Sequence, residues 1–182
     1  MRHADTEARL PLGVPALAAY VATIFAANWA IERFGFVSVG FGYEAPAGVY
    51  FAGLAFTFRD LTQATLGKRW VLAAIGAGAL LSWTVSARFA GASAIAFLVS
   101  ELADFAVYTP MLRRGWLRAV ALSNLVGLVV DSALFLWLAF ESLEFLPGQV
   151  IGKAWMTALA LILLAPLRGR IIPLPATPPS PR

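Results

Sequence analysis

The stretch Leu117–Phe140, LRAVALSNLVGLVVDSALFLWLAF, decides the class of fold. Beyond Arg118 it runs to Phe140 with one charged residue, Asp131. About 20 such residues in a helix cross the ~30 Å hydrocarbon core of a bilayer. Working outward, comparable apolar segments occupy Leu12–Ile31, Pro46–Leu66, Trp70–Ala87, Phe89–Pro110 and Pro147–Leu167. They are continuous and rich in Ala and Leu, whereas membrane strands alternate apolar and polar residues. The sequence therefore predicts an all-α membrane protein. A bundle of six transmembrane helices fills residues 12–167, between a leader (1–11) and a Pro-rich tail (168–182).

Composition supports that class. The chain is 60% hydrophobic and 13% charged, where a soluble domain is about half apolar and a quarter charged. It has no cysteine, which excludes disulfides, thiolate metal sites and a Cys nucleophile. Its single histidine, His3, lies in the polar leader and cannot build a metal site alone. No metal or cofactor is expected. With the amino terminus in the cytoplasm, ten Lys and Arg fall on the cytoplasmic side and only Arg33 and Arg88 on the other. That asymmetry predicts both termini in the cytoplasm. The first apolar run is too long for a signal-peptide core, so it reads as a retained helix. Trp70 and Trp116 border basic loops and read as headgroup anchors. Glu32–Ala45, rich in Gly and Phe, reads as a surface connection or a gate. The prolines after Ile172 predict a disordered tail.

Six ionisable residues fall inside the predicted spans: Arg59 and Asp60, Glu101 and Asp104, Asp131, and Lys153. Each costs about 2.5–3.5 kcal/mol near a helix centre, so each should face the bundle interior and be paired or functional. Glu101, Asp104 and Tyr108 share one helical face, Asn124 and Asp131 another, and Gln149, Lys153 and Thr157 a third. Asn28 adds an amide, and Ser100, Ser123 and Ser132 add hydroxyls. Four acids face two bases, so protons, a cation or a cationic ligand must balance the excess. Arg59 with a nearby acid, and Lys153 with Asp131, could equally be ion pairs that only set helix register. Among Phe97, Phe105, Phe135 and Trp155, Trp155 is the candidate to stack on a flat ligand. The stripe Ala18, Ala22, Ala26, Ala30 permits close helix approach.

Several of these stretches resemble one family: Asn28–Gly35, Pro46–Arg69 with Arg-Asp-Leu-Thr, Ser100–Asp104 (Ser-Glu-Leu-Ala-Asp), Ser123–Phe135 with Val-Asp-Ser, and Gln149–Lys153. Over residues 16–167 the chain is similar to the vitamin uptake transporters, also called queuosine precursor transporters. The resemblance implies import of 7-cyano-7-deazaguanine or 7-aminomethyl-7-deazaguanine across the cytoplasmic membrane of the cell. A deazaguanine presents adjacent N–H donors that one carboxylate can accept, and a keto oxygen that Lys153, Asn28 or Asn124 could serve. The substrate-binding candidates are thus Asn28, Asp60, Glu101, Asp104, Asn124, Asp131, Gln149, Lys153 and Trp155, with Arg59 structural or coupling. Expected partners are this small molecule and the lipid bilayer, with a homo-oligomer or an energising module left open and no nucleic acid.

Three other functions compete. A substrate-binding subunit of an energy-coupling-factor importer has similar size and would use the Ala stripe for docking. An intramembrane enzyme lacks support, since no His pair, Gly-x-Ser-x-Gly or Cys is present. A scaffold does not require six buried charges.

Overall fold

The computed structural model describes residues 10–111, 114 and 116–164. Residues 1–9 of the leader, the Pro-rich tail, Arg113 and the side chains of Phe105, Tyr108, Trp116 and Arg118 lie outside the described residues. Among the described residues, six α-helices and one hairpin follow in order: α1 Leu10–Phe34, β1 Phe36–Gly40, β2 Tyr43–Pro46, α2 Val49–Leu66, α3 Lys68–Trp83, α4 Ala87–Met111, α5 Trp116–Phe140 and α6 Leu146–Leu164. Each predicted span corresponds to one helix. The all-α expectation is corrected at Glu32–Ala45, where most of the segment forms an antiparallel hairpin, with Val37 opposite Ala45 and Ser38 opposite Glu44.

Local chemistry sets these boundaries. Gly35 at φ 64° stops α1, its N–H donating back to the Ile31 carbonyl at 2.9 Å, the left-handed C-terminal cap that glycine adopts without strain. The hairpin reverses through Gly40, Phe41 and Gly42, all at positive φ. Only Phe41 bears a side chain there. The Tyr50 hydroxyl donates to the Ser38 carbonyl at 3.0 Å. Val39 and Ala45 bury against Val49 and Ile151, seating the hairpin on α2 and α6.

The helices close a ring in the spatial order α1, α2, α6, α5, α4, α3 and back to α1. One apolar cluster joins Tyr20, Ile24, Ala55, Val71, Ala74, Ile75 and Phe97 across α1–α4. A second joins Ile31, Ala92, Ala96, Phe135 and Ala139. Small residues let backbones meet, since lipid tails supply no hydrophobic drive for helix association. At Gly53 a Cβ would lie 3.0 Å from the Lys153 carbonyl oxygen and 2.7 Å from Met156 Cβ. The α2–α6 contact therefore needs glycine. Of the Ala stripe on α1, Ala30 is buried whereas Ala18 and Ala22 are exposed.

Among the described residues, Leu12–Phe34 and Leu122–Phe140 are long and apolar enough to cross a membrane, at mean hydropathy 1.6 and 1.8. Two of the other helices fall short of that measure for a visible reason: α3 has only 16 residues, and the 18 residues of α2 include Arg59 and Asp60. Large apolar side chains such as Leu80, Leu102 and Ile162 project outward, the surface that lipid would cover.

Gly53→Val should force α2 and α6 apart and destabilise by about 1–3 kcal/mol, lowering the detergent-solubilised melting temperature. Gly91, with open space around its Cβ position, should accept Ala without loss; equal melting of the two variants would contradict the close-packed α2–α6 seam.

Candidate functional site

Lys153 is the residue around which the interior is built. It is 1% exposed, and its Nζ donates to Asp131 Oδ2 at 2.5 Å and to Ser132 Oγ at 2.8 Å. One of its three N–H donors remains. α6 supplies the lysine and α5 both acceptors, so the pair ties together the two helices that follow one another at the end of the chain. A buried charge pair is strongly destabilised by loss of one member, because the survivor is left uncompensated.

Beside the pair lies a cavity lined by Ile24, Val49, Ser93, Phe97, Phe135 and Gln149, among others. Gln149 is 2% exposed and its Oε1 has no hydrogen-bond partner among the described residues. A buried amide oxygen without a partner costs about 1–3 kcal/mol, so it is an acceptor prepared for a donor. The cavity volume of about 20 Å³ admits one water and no aromatic ring.

A second charged cluster lies further from the hairpin. Arg59, 7% exposed, donates through Nε and Nη2 to Asp60 Oδ1 at 3.0 and 2.7 Å and through Nη1 to Glu101 Oε1. The Asp60 side chain is 59% exposed and that of Glu101 21%. Asp104 lies at the α4–α5 contact near Gly127, its Oδ1 buried with no partner among the described residues.

The residues singled out from sequence thus separate. Asp131, Gln149 and Lys153 meet at the cavity. Asn28 is fully buried but already committed: its Nδ2 donates to the Ile24 carbonyl and to Ser82 Oγ, and its Oδ1 accepts from Ser93 Oγ, cross-linking α1, α3 and α4. Arg59, Asp60 and Glu101 form the second cluster. Asn124 is exposed. Trp155 is half exposed and faces the hairpin, its Nε1 donating to the Val39 carbonyl at 3.2 Å and its ring stacked with Phe41. Phe97 and Phe135, not Trp155, are the aromatic walls of the cavity.

The sequence reading does not single out Phe56 or Ser93. The spacing of Phe56 one turn before Arg59 is a signal that could have found it; a lone serine such as Ser93 gives none.

Residues 81–168 match the family model described as "Putative vitamin uptake transporter". That match supports the vitamin uptake transporter family. It is a family of transporters and not of enzymes, and with the two span-length apolar helices it supports a membrane protein. The matched segment holds Asp131, Gln149 and Lys153, whereas Asn28, Arg59 and Asp60 precede it. No curated protein and no solved structure matches the chain.

Lys153→Met alone leaves Asp131 buried without a counter-charge and should cost about 3–5 kcal/mol. Adding Asp131→Asn should recover most of that loss in a thermal melt; a double variant as unstable as the single one would contradict a mutually compensating pair.

Proposed function

We propose that the chain spans the cytoplasmic membrane six times with both termini inside, and imports a queuosine precursor, 7-cyano-7-deazaguanine or 7-aminomethyl-7-deazaguanine. The observation that carries this reading is the pairing of a buried, unpartnered acceptor, Gln149 Oε1, with a carboxylate and an ammonium on one cavity wall. A deazaguanine edge offers N–H donors for Asp131 and Gln149 and a keto oxygen for the remaining Lys153 proton. Phe97 and Phe135 offer faces to its ring. At this volume the cavity does not hold a purine-sized ring, so uptake requires the helices to part around it, as alternating access does. The family match supports the transport class, and the ten-to-two distribution of basic residues supports the topology.

The other acids belong to energetics more than to recognition. Asp60, Glu101, Asp104 and Asp131 against Arg59 and Lys153 leave an excess of acids, which a co-transported proton or the cationic aminomethyl substrate would balance. Uptake into proteoliposomes that ignored an imposed pH gradient would remove the proton from the cycle. The exposure of Ala18 and Ala22 on α1 favours one second reading, a substrate-binding subunit that docks on an energy-coupling module. Uptake in cells lacking such a module separates the two.

Expression in a cell deficient in uptake and synthesis of the precursor, fed each deazaguanine separately, should restore queuosine to transfer RNA for one of them. Gln149→Leu should raise KM about fivefold, for one hydrogen bond of about 1 kcal/mol. No restoration with any deazaguanine, in cells that insert the protein normally, would redirect the substrate assignment.

A further inference from the structure

The two charged clusters meet at one aromatic ring. The Phe56 ring has Lys153 Nζ 5.7 Å and Arg59 Cζ 5.5 Å from its centroid. Both lie within the ~6 Å range in which a cation is attracted by a ring face. Phe56 packs on Phe97 at 5.9 Å, and Phe97 in turn meets Tyr20 edge-on at 6.4 Å. Phe97 also walls the cavity. The rings thus form a layer from α2 through α4 to α1, with the cavity at its hairpin side.

Among the described residues, buried polar atoms without partners occur on both sides of that layer, and the Tyr20 hydroxyl is another within it. Gln149 Oε1 lies toward the hairpin. Thr62 Oγ1 is fully buried and six residues beyond Phe56 on α2, which places it about 9 Å further along the helix axis. Asp104 Oδ1 lies beyond Phe97 on α4. Buried polar groups normally find partners, so their occurrence on either side of the aromatic layer traces a polar route that the rings of Phe56 and Phe97 interrupt.

Resting on the transport reading above, we propose that the Phe56 ring, backed by Phe97, is the barrier that cargo must displace to pass from the cavity to the region around Arg59 and Thr62. The two cations explain how a mobile ring is held. Each gains from the ring face, and neither depends on it, because Lys153 keeps Asp131 and Arg59 keeps Asp60 and Glu101. Rotation of Phe56 leaves both ion pairs intact.

The absence of cysteine makes the test direct. Single cysteines are placed at Ala52, which lines the cavity, and at Thr62, in the full chain reconstituted in sealed vesicles. A membrane-impermeant thiol reagent is applied from the face on which A52C reacts. T62C should then be protected while Phe56 is present. If the ring is displaced in about a tenth of molecules or fewer, Phe56→Ala should accelerate T62C labelling about tenfold or more, Phe56→Leu should accelerate it less, and the A52C rate should stay unchanged in both backgrounds. Three results would overturn the barrier: T62C labelled as fast as A52C with Phe56 in place, no acceleration in F56A or F56L, or no reaction of A52C from either face. Labelling needs no substrate, so a wrong cargo leaves this result standing, and a failed barrier leaves the queuosine rescue standing.

Discussion

An ammonium group buried to 1% exposure constrains everything around it. Lys153 cannot sit among Val, Phe and Ala unless a carboxylate meets it, so α6 must bring it to Asp131 on α5 at 2.5 Å. That contact in turn needs α2 close behind α6, which Gly53 permits by presenting no side chain to the Lys153 backbone. With α5 and α6 joined by charge and α2 and α6 by close packing, the ring of six helices closes. The cavity is the space left beside the pair.

Around that centre, each polar group has a distinct task. Asn28 makes three hydrogen bonds to α1, α3 and α4, which occupy both of its N–H donors. Its role is to hold the first helix to the middle of the bundle. Gln149 is the opposite case, buried with its carbonyl oxygen unmet. Arg59 neutralises two acids at once beyond the aromatic layer. The hairpin fastens the end of the bundle nearest the cavity through Tyr50, Trp155 and Phe41.

Most of the helical architecture was legible because lipid-facing helices are apolar on nearly every face, and a continuous run needs no partner to be recognised. Pro46–Leu66 became Val49–Leu66 and Leu117–Phe140 became Trp116–Phe140. The hairpin escaped because its glycines suggested a loop, although Val37 and Val39 alternate as strand residues do. The interior charges were found by their cost, but their grouping was not. Asp60 follows Arg59 by one residue, about 100° around the helix, so an inward Arg59 turns it outward. Asn124 shares a face with Asp131 by spacing, yet it is exposed, because burial changes along a helix. Chemistry alone makes Trp155 a stacking ring, and the hairpin that takes it is the element the sequence does not reveal.

Lys153 and Asp131 compensate each other's buried charge, and the same pair is proposed to recognise the cargo. Direct binding of 7-cyano-7-deazaguanine to purified protein, measured by titration for the wild-type chain and for the K153M/D131N double variant, tests it most directly. The double variant removes both charges together, so it should retain a cooperative melt and lose binding. Wild-type affinity in a folded double variant would contradict the claim and leave the pair as structure alone.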